Sequence, residues 1–155
     1  MSKARLLAAT LWVLAMVSLG AGAPAAAAED QTLQKAQKGD PVAQFDMGER
    51  YLAGDGVPQD FGKAADWFAK SGGQGNPAAN YRLGVMQMEG RGMKADWPKA
   101  CLLYKQASKA GYVPAYLDLS NCYFRGVGVE QDINQAYFWR EESRRAGVPP
   151  PTMGP

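Results

Sequence analysis

Three kinds of residue in this sequence have the chemistry to act on another molecule. They are two cysteines, an adjacent carboxylate pair and a spaced set of tryptophans. Glu141 and Glu142 offer paired carboxylates. Acid–base catalysis needs such groups to converge on one bond, and neighbours in a helix do not share a face. Arg140, Arg144 and Arg145 surround the pair, so a solvated helix end is expected there, and Asp55 reads as solvated too. Trp67, Trp97 and Trp139 would stack a flat ligand, but each falls in an apolar slot that recurs along the chain, so core packing is expected of all three. Gly54-Asp-Gly56, Gly90-Arg-Gly92 and Gly126-Val-Gly128 resemble phosphate-cradling loops. None continues as G-x-G-x-x-G or carries a P-loop lysine, so they are read as helix ends.

The chain has no histidine. That excludes histidine general bases, Ser-His-Asp and Cys-His nucleophile systems and histidine-ligated zinc. Two cysteines do not make a four-cysteine metal site. No catalytic residue, metal ligand or cofactor site is therefore expected. There are 17 Lys and Arg against 15 Asp and Glu in 155 residues. Two of the basic residues, Lys3 and Arg5, precede the apolar N-terminal run, so the rest of the chain is balanced in charge. Nucleic-acid binding depends on clustered positive charge, and no such partner is expected.

Residues 1–28 read as an address. Lys3 and Arg5 precede the uncharged run Leu6 to Leu19, and Ala26-Ala27-Ala28 precede Glu29-Asp30. Charged start, short apolar stretch and small residues at the cut define a secretory signal peptide. A bilayer span takes about 20 residues, and this run has 14. Cleavage after Ala28 is expected, leaving no membrane segment and a periplasmic or secreted chain.

What remains repeats every 36 residues. The three Gly-x-Gly loops keep this step, as do Asp60, Asp96 and Asp132, then Ala64, Ala100 and Ala136, then Gly75, Gly111 and Gly147. Before the loops, Ala43, Ala79 and Ala115 match, and so do Met47, Leu83 and Leu119. Within a unit, Ala43, Met47, Gly48 and Tyr51 stand at helical spacing and give one apolar face. Pro41 and Pro77 suit a first helical turn. Glycine ends this first helix, and the recurring aspartate caps a second, whose buried side is Ala64, Trp67 and Phe68. One such hairpin cannot bury both faces, whereas stacked hairpins can. The expected fold is all-α, an α-solenoid of stacked antiparallel helix pairs. Residues 29–39 are a partial unit, three units run to about 147, and the proline-rich tail 148–155 beyond the last is expected to be extended or disordered.

The pattern Ala43-Gln44-x-x-Met47-Gly48-x-x-Tyr51-x-x-Gly54-x-Gly56-Val57-x-x-Asp60-x-x-Lys63-Ala64-x-x-Trp67 resembles the Sel-one-like repeat, a relative of the tetratricopeptide repeat. Gln87, Leu103 and Ser120 depart from it at the Tyr, Trp and Gly positions. The resemblance implies a non-catalytic scaffold for protein–protein interaction in the bacterial envelope, as adaptor, regulator or toxin-immunity protein. It names no partner and implies no shared catalytic residues. Some cysteine-rich relatives are weak penicillin-binding or β-lactam-hydrolysing enzymes. Here the missing histidine and the missing S-x-x-K motif speak against that activity.

Cys101 falls on the second helix of one unit and Cys122 on the first helix of the next, about ten residues either side of the intervening turn. They are read as a disulfide in an oxidising compartment, or otherwise as two buried thiols. On the first helices, a stripe turned away from the core slots carries Asp46, Glu49, Arg82, Val85, Glu89, Asp118, Asn121 and Arg125. First helices often line the concave side of a solenoid, so this stripe is the candidate partner-binding surface. An ordinary solvated face would look the same. N-terminal sequencing of the exported protein is expected to start at about Glu29, and a cytoplasmic chain that keeps Met1 contradicts the leader.

Overall fold

The structure, a computed structural model, describes residues 31–147. The expected leader 1–28 and the tail 148–155 lie outside the described residues. Helix α1 is described over residues 31–37. Three helix pairs follow: α2 (Pro41–Ala53) with α3 (Phe61–Gly73), α4 (Pro77–Glu89) with α5 (Trp97–Lys109), and α6 (Tyr116–Arg125) with α7 (Ile133–Arg145). No strand occurs among the described residues.

The recurring residues set the helix ends. Asp60, Asp96 and Asp132 are N-caps whose carboxylates accept from the amides of Lys63, Lys99 and Gln135 at 2.9–3.0 Å. Each accepted bond satisfies a first-turn amide that has no partner inside the helix. Asp40 and Asn76 cap α2 and α4 in the same way, with Pro41 and Pro77 in the first turn. Gly54, Gly90 and Gly126 end the first helices in the left-handed conformation, φ 78, 72 and 68°.

The third unit breaks the pattern at its start. Tyr112 stands where Asp40 and Asn76 stand, and it has no short side-chain acceptor to offer. A 3₁₀ turn, Val113–Ala115, replaces the first turn, and α6 keeps 10 residues where α2 and α4 have 13.

Packing within a pair depends on a glycine facing an aromatic ring. A Cβ on Gly48 would lie 2.5 Å from Cε1 of Phe68, and one on Gly84 would lie 2.7 Å from Cε1 of Tyr104. Phe68 and Tyr104 are buried, so the missing side chain is the space that admits the ring. In the third unit both members change together. Ser120 replaces the glycine and Arg140, exposed, replaces the ring. The hydroxyl of Ser120 donates to the Ala136 carbonyl at 2.8 Å.

Between pairs, α4 packs on α3 and α6 on α5. Ala64, Ala65, Phe68, Ala79, Leu83 and Met86 form one core cluster, and Ala100, Cys101, Tyr104, Leu119 and Cys122 another. The partial unit also contributes, since Ala36 packs with Ala43 and Met47.

Gly48→Ala is expected to destabilise the chain by about 1–3 kcal/mol, the usual cost of forcing extra volume into a filled site. Gly73, also helical, faces open space, and a methyl group there would meet nothing within 4 Å. Gly73→Ala is expected to be neutral or to stabilise by up to about 1 kcal/mol. Denaturant unfolding of both variants checks this, and equal effects at the two glycines contradict the packing argument.

Candidate interaction surface

The structure joins Cys101 and Cys122 in a disulfide with a Cα–Cα distance of 5.7 Å. The bridge ties α5 to α6 across the seam between the second and third units. Ala65 and Met86 hold the matching slots one seam earlier, both buried. The covalent link therefore replaces an apolar contact of the same architecture. A cross-link with a sequence separation of 21 contributes about 3 kcal/mol by restricting the unfolded chain.

The eight stripe residues do not behave alike. Glu49 and Arg82 pair at 2.7 Å across the first seam, and Glu89 pairs with Arg91 across its loop at 2.8 Å. Val85 packs against the core cluster around Cys101. Asp118 is half-buried, and its carboxylate faces the Tyr81 hydroxyl across the second seam. Much of the stripe thus works between units, which spacing alone did not reveal. Asp46, Asn121 and Arg125 stay exposed.

Burial raises the Asp118 carboxyl above its ordinary value, and the Tyr81 hydrogen bond opposes that rise. Burial, followed by the nearby Asp118 charge, pushes the Tyr81 and Tyr104 hydroxyls up as well. Tyr104, Tyr81 and Tyr112 form a run of tilted rings with centroids 5.7 and 5.4 Å apart. Sequence reasoning missed this aromatic–carboxylate contact. Its signal is the hydroxyl that Tyr81 adds where the first unit has Phe45.

The structure gathers Asp118, Asn121 and Arg125 at one cleft of about 140 Å³ between the second and third units. The disulfide lies against it, and Met88, Trp97 and Val127 supply apolar walls. Trp97, expected in the core, is instead 48% exposed. It begins α5, and at that point the ring lies beside the cleft rather than between hairpins. Trp67 and Trp139 do pack against core clusters. Glu141 and Glu142 pair with Arg144 and Arg145 at the helix end. Among the described residues no three His, Cys, Asp or Glu side chains group as for a metal ion, and no helix is long and apolar enough to cross a membrane.

Paired helices of constant step, with recurring caps and glycines, define an α-solenoid repeat protein. The chain belongs to the Sel1 repeat family, whose model matches residues 41–76, 77–112 and 113–148. A Sel1 repeat protein from Oxalobacter formigenes is similar at 33% identity and a TM-score of 0.72, over 77% of this chain and 90% of its own. A protective antigen of uropathogenic Escherichia coli strains, described as displaying an SLR fold, is also 33% identical, with a TM-score of 0.73. That match covers 77% of this chain and 26% of the antigen, so the chain spans about a quarter of the antigen's length. No curated protein matches the sequence.

The raised Asp118 carboxyl has a consequence for stability. Between the unfolded and the higher folded value, the folded chain holds more protons than the unfolded one. Stability therefore rises as pH falls through that window. Asp118→Asn is expected to remove this rise and to stabilise the chain at neutral pH. Thermal unfolding from neutral pH down to about pH 4, near the ordinary aspartate value, checks both. A variant less stable than the parent at neutral pH contradicts the argument.

Proposed function

We propose that this chain is an exported, non-catalytic scaffold that binds another protein in the bacterial cell envelope, and that the cleft beside the disulfide is its docking point. The Sel1 repeat fold is typical of protein–protein interaction scaffolds. Export is supported by the leader pattern of residues 1–28 and by the Cys101–Cys122 bridge, since structural disulfides persist in oxidising compartments.

The observation that carries the docking point is the exposed Trp97 sharing one cleft with Arg125 and Asn121. Tryptophan and arginine are among the residues most enriched at positions that dominate binding energy. Apolar walls with a few polar groups suit an inserted side chain better than a flat polar contact. Arg82 is a weaker choice of anchor, because it already holds Glu49.

Trp97→Ala with Arg125→Ala tests the site. Mature protein is used to capture its partner from envelope extracts, and the affinity of the recovered complex is then measured for wild type and variant. Loss of at least about 2 kcal/mol of binding is expected from anchors of this type, with stability changed by no more than about 1 kcal/mol. A double variant that folds normally and binds with wild-type affinity moves the site elsewhere.

A further inference from the structure

The cleft beside the disulfide has a counterpart one seam earlier, and there the chain supplies a cation of its own. In repeat register Trp97 corresponds to Phe61, Val127 to Arg91 and Asp118 to Arg82. At the earlier seam the Arg91 guanidinium lies over the Phe61 ring, 5.9 Å from its centroid, and pairs with Glu89 at 2.8 Å. The loop that carries Arg91 keeps its backbone in the next unit, with φ 72 and 73° at Gly90 and Gly92 against 68 and 67° at Gly126 and Gly128. The replacement of arginine by Val127, rather than a moved loop, therefore takes the cation out of the later seam. Valine is shorter and uncharged, and a cleft of about 140 Å³ remains beside Trp97.

The charge on the neighbouring slot is reversed as well. Arg82 is held by Glu49 across the first seam at 2.7 Å. The matching residues at the second seam are Asp118 and Val85, so the sign changes and the internal partner is lost. Among the described residues no Lys or Arg pairs with Asp118. Burying a carboxylate without a partner is costly. Arg125 does not neutralise it. It is exposed and two turns further along α6, about 10 Å at helical rise, beyond the screening length of about 8 Å at physiological salt.

We propose that the occupant of this cleft is an arginine side chain of the partner protein, lying over Trp97 with its guanidinium on Asp118. This rests on the docking point proposed above and names the chemistry it recognises. Tryptophan is the ring that attracts a cation most strongly, and arginine is the cation most often found there. A guanidinium also makes two parallel bonds to a carboxylate. Its carbon stem packs against apolar walls such as Met88 and Val127.

The test is an NMR titration of the mature, disulfide-bonded chain with small probes. It reads the Trp97 indole N–H, assigned by its loss in Trp97→Phe. The probes are N-acetyl-arginine amide, its uncharged isostere N-acetyl-citrulline amide, and N-acetyl-glutamate amide. The arginine probe is expected to bind about tenfold more tightly than the citrulline probe, a ratio within the range of hydrogen bonds to charged groups. Asp118→Asn is expected to bring the arginine probe down to the citrulline level. Val127→Arg, which returns a guanidinium to the chain itself, is expected to do the same. Equal binding of arginine and citrulline, preference for the glutamate probe, no response of Trp97 to any probe, or arginine binding that survives Asp118→Asn each overturns the proposal. These arms need no partner, so the two readings fail separately. A cleft that selects arginine while the Trp97–Arg125 double variant still captures the partner overturns the docking point. A cleft indifferent to the probe's charge overturns the arginine assignment.

Discussion

The distance between the two helices of each of the first two pairs is set where a glycine meets a ring. Gly48 and Gly84 admit Phe68 and Tyr104 so closely that no side chain fits between. The ring buries a large apolar area and fixes the helices at one spacing. Other features are placed by that spacing: the slot for Ala65 or Cys101, the seam that follows, and the loop that returns to the next unit. The second glycine of each later loop extends the same logic between units. A Cβ on Gly92 would lie 2.5 Å from the carbonyl carbon of Phe61, and one on Gly128 would overlap the backbone of Pro98. Backbone meets backbone there, so the stack has a fixed step.

The two seams are held by different means on one frame. The first uses Ala65 against Met86, with the Glu49–Arg82 pair bridging α2 and α4 nearer the surface. An exposed pair of this kind contributes less than about 1 kcal/mol, so the apolar contact carries that seam. The second has the disulfide, with the half-buried Asp118 facing Tyr81 beside it. The more constrained seam is also the one with the cleft and the exposed Trp97. A binding surface gains from rigidity because less freedom is lost on association, so the cross-link beside the cleft suits the docking role proposed for it.

The helix pairs were legible in the sequence because each boundary rests on one residue with one physical role. Asp60 caps, Gly54 turns left-handed and Pro41 begins a helix, and each does so from its own local chemistry. The seam positions of the cysteines were legible from register, since residues equidistant from a turn meet in an antiparallel pair. Three features were not legible. The shortened α6 depends on what Tyr112 lacks, which a repeat alignment passes over. Trp97 shares a slot with Phe61 and Ile133, and apolar residue type alone does not show that the slot is open, although Ile133 is exposed there as well. The stripe residues Glu49, Arg82 and Asp118 were read as a partner-binding surface, and helical spacing within one unit cannot show that each also meets a residue of a neighbouring unit.

A double-mutant cycle between Gly84 and Tyr104 tests the glycine–ring constraint most directly. Unfolding free energies are measured for the parent, Gly84→Ala, Tyr104→Leu and the double variant. Residues in contact couple by about 0.5–3 kcal/mol, whereas independent ones add to within about 0.5 kcal/mol. Gly84→Ala is expected to be costly with the ring present and nearly free once the ring is removed, a coupling of about 1 kcal/mol or more. A methyl at Gly84 that costs the same with and without the Tyr104 ring would contradict the constraint.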